Sequence, residues 1–63
     1  MVNLNAVQEV FEEFRSTVNT ELSQYDEALH EAVVTSIAWD FEEMYEALRI
    51  PADQFKAYFY KVN

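Results

Sequence analysis

The pattern of apolar residues predicts a small, mainly α domain: two antiparallel helices followed by a short C-terminal strand or third helix, assembled as an intertwined homodimer. Three observations lead there. Apolar side chains recur every three or four residues through two long segments, 4–25 and 29–48. The second segment carries an apolar face about half the helix circumference wide, more than one partner helix covers. The chain has only 63 residues and no Cys, so a lone core is marginal, no disulfide or thiolate site reinforces it, and a second copy is favoured.

The first helix is read from Leu4, Val7, Phe11, Phe14 and Val18, a seam close to a heptad that continues past Glu21 to Tyr25. Asn3, or Asn5 with Gln8 three positions on, supplies the capping chemistry at its start. The polar run Asn19, Thr20, Glu21 marks its end region, and Ser23 followed by Asp26 has capping-box spacing, which starts a second helix near Gln24. So short a connection makes the two helices antiparallel neighbours.

Leu29, Val33, Ile37, Phe41, Met44 and Leu48 form the central stripe of the second helix, with Val34, Ala38 and Tyr45 widening it. Pro51 disfavours helical backbone at Ile50, so the helix is predicted to end there. The tail reads two ways. Pro51 at a first helical position, Asp53 in the first turn and the set Phe55, Tyr58, Phe59, Val62 describe a short third helix. Phe55, Ala57 and Phe59 alternating with Lys56, Tyr58, Tyr60 and Val62 describe a half-buried strand. No repeat, linker or low-complexity tract divides residues 1–63, which are read as one domain.

Charge narrows the function classes. Twelve acids against four basic residues give a net charge of −8, the wrong sign for a phosphate backbone, so direct nucleic-acid binding is not expected. The 51% apolar content argues against disorder. Neither a basic leader nor an apolar run of membrane-spanning length occurs, so a cytoplasmic protein without membrane association is expected. The tail alone is slightly basic, with Lys56 and Lys61 against Asp53.

Taken whole, the string from MVNLNAVQEVFEEF through AWDFEEMYEALRIPADQF to the end resembles the small early accessory proteins of lambda-like temperate bacteriophages, encoded between the exonuclease and excision genes. The resemblance spans the full chain and rests on the overall string, with no motif that carries a mechanism. It implies a protein of the host cytoplasm that promotes lytic development, and a dimeric fold of two helices and one strand, in which the tail is the strand. It implies no catalytic or binding residue.

Glu27 and His30 have the Glu-x-x-His spacing of bundle di-iron sites, but the first helix presents Leu, Val and Phe on its seam while Glu9, Glu12 and Glu13 lie off it, so no metal or other cofactor is expected. A partly buried histidine hydrogen-bonded to a nearby acid is the simpler reading. Ser16, Ser23 and Ser36 lack a base and an orienting acid, no Gly-rich loop exists, and neighbouring acids such as Glu12 and Glu13 point about 100 degrees apart on a helix. An enzyme is therefore not expected.

Surfaces remain. Phe11, Phe14, Ile37, Trp39, Phe41, Phe55 and Phe59 are the expected dimer interface, Trp39 because a large aromatic among Glu31, Glu42, Glu43 and Glu46 suits an intersubunit contact or a partner anchor. Asp40, at the edge of the apolar stripe, is expected to pair with Arg15 or Arg49. Val34, Tyr45 and Leu48 are the expected lining of a groove for a host or phage protein. The acidic face of Glu31, Glu42, Glu43 and Glu46 supports an alternative, an acidic DNA mimic that inhibits a DNA-binding protein, beside its plainer role in solubility. Protein binding through the groove is the favoured function.

Overall fold

The computed structural model describes residues 4–62. Three helices pack pairwise: α1 (Leu4–Leu22), α2 (His30–Met44) and α3 (Ala52–Val62). A 3-10 turn at Glu27–Leu29 leads into α2, and a second at Glu46–Leu48 follows it. Among the described residues there is no strand.

The tail is thus a helix, and the strand expected from the resemblance is corrected. Phe55 and Phe59 are buried and Tyr58 half-buried, while Ala57, which alternation would place beside the two Phe, is exposed. That is a period of three to four, not two. An 11-residue helix also satisfies its own backbone, whereas a strand packed on two helices of one chain has no ladder partner. The Gln54 N–H to Pro51 carbonyl bond, 3.0 Å, opens the helix. Asp53 in its first turn and Lys61 in its last complement its dipole.

Both predicted boundaries of the second helix shift inward. Ser23 does not cap it: its hydroxyl donates back to the Thr20 carbonyl at 2.7 Å, and Gln24 and Tyr25 bond the Glu21 and Leu22 carbonyls, so these residues finish α1. Asp26 is extended (φ −63°, ψ 149°) and makes no side-chain cap. At the other end the break comes at Tyr45 (φ −114°, ψ 41°), well before Pro51. Arg49 then takes the left-handed conformation, φ 55° and ψ 40°, and turns the chain towards α3.

The core is apolar throughout. Val10, Phe14 and Val18 of α1 meet Val34, Ala38 and Phe41 of α2, with Ala52, Phe55 and Phe59 of α3 and Ile50 of the connection. Phe14 is the hub, its ring centroid 5.1 Å from Phe55, 5.3 Å from Phe41 and 6.4 Å from Phe59. Such pairs contribute about 0.5–1.5 kcal/mol each beyond the area they bury. Ala38 matters by being small, since a short side chain facing the core lets helices approach closely.

Candidate functional groove between helices 1 and 2

The wide apolar face of α2 divides into two stripes with different fates. Val34, Ala38 and Phe41, spaced by four and three, are buried in the chain's own core, with Tyr45 half-buried beyond them. Leu29, Val33, Ile37 and Met44 fall on the flank turned roughly 60 to 140 degrees away by helical geometry. There they line an open groove of about 550 Å³. Thr17 and Glu21 of α1 form its opposite wall, Tyr25 stands at the end near the α1–α2 connection, and Asp40 lies on the α2 side. Leu29 is 49% exposed, Met44 61% and Tyr25 45%. Ile37 packs partly against the core and joins the two stripes.

The residues expected to form a groove lie elsewhere. Val34 is 1% exposed and belongs to the core, while Tyr45 and Leu48 are half-buried against it, so the cavity runs along the other stripe. Helical periodicity alone assigns both stripes to one broad face; which half the other helices cover depends on where α3 docks. The open stripe was nevertheless present in the sequence as the central set from Leu29 to Met44.

Of the residues expected between chains, Phe14, Phe41, Phe55 and Phe59 are buried within a single chain. Phe11 is half-buried, its ring 5.1 Å from Phe55 and 5.0 Å from Tyr58. Trp39 stands apart at 58% exposure and does not line the groove. Val10, outside the predicted seam, is buried instead, showing that α1 faces two helices at once.

Polar groups around the core have local tasks. Glu42, placed by sequence on the acidic face, is half-buried and accepts a 2.7 Å bond from the Ala52 N–H at the start of α3. Glu31, Glu43 and Glu46 are exposed. The Tyr45 hydroxyl donates to Glu13 at 2.9 Å and the Tyr58 hydroxyl donates to Glu12, tying α1 to the end of α2 and to α3. Each tyrosine pKa is raised, first by that hydrogen bond, then by desolvation and by the negative charge of its glutamate; Arg15 opposes the rise at Tyr58. Asp40 is exposed, so water solvates it and burial imposes no need for the expected arginine partner. Arg15 lies 4.0 Å from Glu12, one helical turn earlier on α1.

The His30 Nε2–H donates to the Tyr25 main-chain carbonyl at 3.2 Å, not to the acid expected of it, and so holds the α1–α2 connection. The described residues contain no group of three or more side chains able to hold a metal ion, and no helix long and apolar enough to cross a membrane. What the groove offers chemically is an apolar strip with two carboxylates beside it.

Comparison with protein-family models, curated proteins and solved structures gives no match to this chain.

Proposed function

We propose that the protein is a non-enzymatic bacteriophage early protein, acting in the host cytoplasm, that promotes lytic development by binding another protein through the groove between α1 and α2. The observation that carries the binding reading is the apolar strip of Leu29, Val33, Ile37 and Met44, left open after three helices have closed their own core. Exposed contiguous apolar surface beside polar residues is the usual mark of a protein interaction site. The phage and lytic context rests on the resemblance of the whole string.

The residues with chemical potential support the non-enzymatic part of this reading. Ser23 bonds the Thr20 carbonyl in the last turn of α1 and His30 the Tyr25 carbonyl of the connection, a structural use of both groups. An acidic mimic of DNA is the second reading, favoured by exposed Glu31, Glu43 and Glu46 around exposed Trp39. It is the weaker one, because Glu42 commits a carboxylate oxygen to the α3 backbone.

The test uses Leu29→Glu with Met44→Glu, both at well-exposed positions. In infected cells the double variant is expected to lengthen the time to lysis as deletion of the gene does, and to lose partners that the unaltered chain retains in a pull-down. Unchanged lysis timing on deletion removes the lytic reading. Loss of partners on replacing Glu31, Glu43 and Glu46 by Gln, with the groove variant still binding, favours the mimic.

A further inference from the structure

Resting on the proposal that the groove binds protein, we infer that its occupant is a cationic amphipathic helix of another protein, seated along α2 with its apolar face on Leu29, Val33, Ile37 and Met44 and its basic residues towards Glu21 and Asp40. Shape and length come first. The strip runs from Leu29 to Met44, which at 1.5 Å per residue is about 22 Å, the length of a helix of roughly four turns. Its apolar residues fall four, four and seven apart, from the 3-10 turn at Leu29 along α2 to Met44, so a second helix laid beside them meets them with its own i, i+4, i+7 positions. An extended strand has no main-chain edge to pair with, because the described residues form no sheet.

Charge selects among helices. Among the described residues the groove is lined by Glu21 and Asp40 and by no Lys or Arg, and the whole chain carries −8. A second copy brings another −8 to the same face, while a basic helix gains at both rims and is steered in by the long-range field. An anionic membrane surface is repelled for the same reason. The groove thus joins a non-directional apolar contact, which supplies affinity, to a charge rim that selects the partner's sign.

The experiment measures binding of three labelled synthetic peptides of about 15 residues, enough to cover four helical turns. One is an amphipathic leucine–lysine helix, one has the same apolar face with glutamate for lysine, and one is the leucine–lysine composition scrambled to destroy the face. The leucine–lysine helix is expected to bind with a Kd in the micromolar range and the other two at least about tenfold more weakly. Leu29→Glu or Met44→Glu is expected to weaken it about tenfold. Trp39→Ala, outside the groove, is expected to leave it unchanged, with circular dichroism confirming that each variant is folded. Perturbed NMR methyl signals of Leu29, Val33 and Ile37 are expected to place the peptide.

Equal binding of the scrambled peptide, or of the glutamate peptide, overturns the inference, as does a groove variant that binds like the parent. A fall in the protein's own mass caused by Leu29→Glu also overturns it, by making the groove a contact between copies. The two proposals fail separately. If no peptide binds but the groove variants still delay lysis, the occupant is wrong and the groove is right; if the peptide binds and deletion leaves lysis timing unchanged, the lytic role is wrong.

Discussion

Arg49 occupies the left-handed region that glycine normally fills at a helix end, in a chain that contains no glycine. The conformation costs about 1 kcal/mol or more for a residue with a Cβ, and it is needed because the chain must reverse within the few residues between Leu48 and Ala52 to bury Ile50 and start α3. Arg49→Gly is therefore expected to keep or raise the melting temperature, and Arg49→Val to lower it, its branched side chain being least tolerant of positive φ. Thermal melts followed by circular dichroism check both; a Val variant as stable as the parent refutes the strain. The two tyrosines act at the same scale. Because their folded pKa values lie above the ordinary 10.0, their contribution is present below that pH and is lost as pH rises through the raised values. The alkaline fall in melting temperature is expected to be shallower in a Tyr45→Phe, Tyr58→Phe double variant, and an unchanged slope sinks this link.

Each helix is held by a different balance of local and distant forces. α1, with 19 residues, has length enough to form much of its own structure, but α3 has only 11, below what is stable alone in water. Its start depends on another helix: Glu42 of α2 accepts the Ala52 N–H and places a carboxylate at the positive end of the α3 dipole. Glu42→Ala is expected to destabilise the protein by about 1–2 kcal/mol, as loss of a good N-terminal cap does. Urea unfolding measures it, and Glu42→Gln, which keeps an acceptor oxygen without the charge, should recover part of the loss. No difference between Ala and the parent rejects the cap. Glu42 therefore does two things that sequence alone keeps separate: it reads as one more surface acid, yet its neighbour in space is ten residues away.

Across the whole molecule one ring holds three helices. Phe14 is fully buried and touches Phe41, Phe55 and Phe59, so Phe14→Ala removes contacts to both partner helices and is expected to cost about 3–5 kcal/mol. A domain of this size holds only roughly 3 to 9 kcal/mol in total. The variant should be largely unfolded at room temperature by circular dichroism, and a cooperative transition like the parent's contradicts this. With the four core phenylalanines satisfied inside one chain, the case for a homodimer narrows to Trp39 and the open flanks of α2. A contact through Trp39 brings together the acids around it, so added salt is expected to strengthen it, whereas binding of a cationic helix weakens as screening shortens to about 8 Å near physiological ionic strength. Light scattering at low and high salt, with Trp39→Ala as control, checks the dimer. A monomer mass near 7.4 kDa under both conditions removes it.

Helical class, the extent of α1, the presence of two connections and the acidic surface were legible because they follow from near-neighbour properties: periodicity, a proline and a charge count; the bounds of α2 were not, and fall inside the predicted ones at His30 and Met44. Periodicity also offered the third helix, through Phe55 and Phe59 four apart, although alternation offered a strand as well. The choice between them fell to packing, since Phe55 and Phe59 reach Phe14 from one helical face and Ala57 is left outside. The groove was decided in the same way. Val34 and Val33 are adjacent and chemically identical, yet one is sealed in the core and the other lines the open strip. Nothing along the chain distinguishes them; the direction from which α1 and α3 approach α2 does, because burial is a property of what a side chain meets and not of the side chain itself.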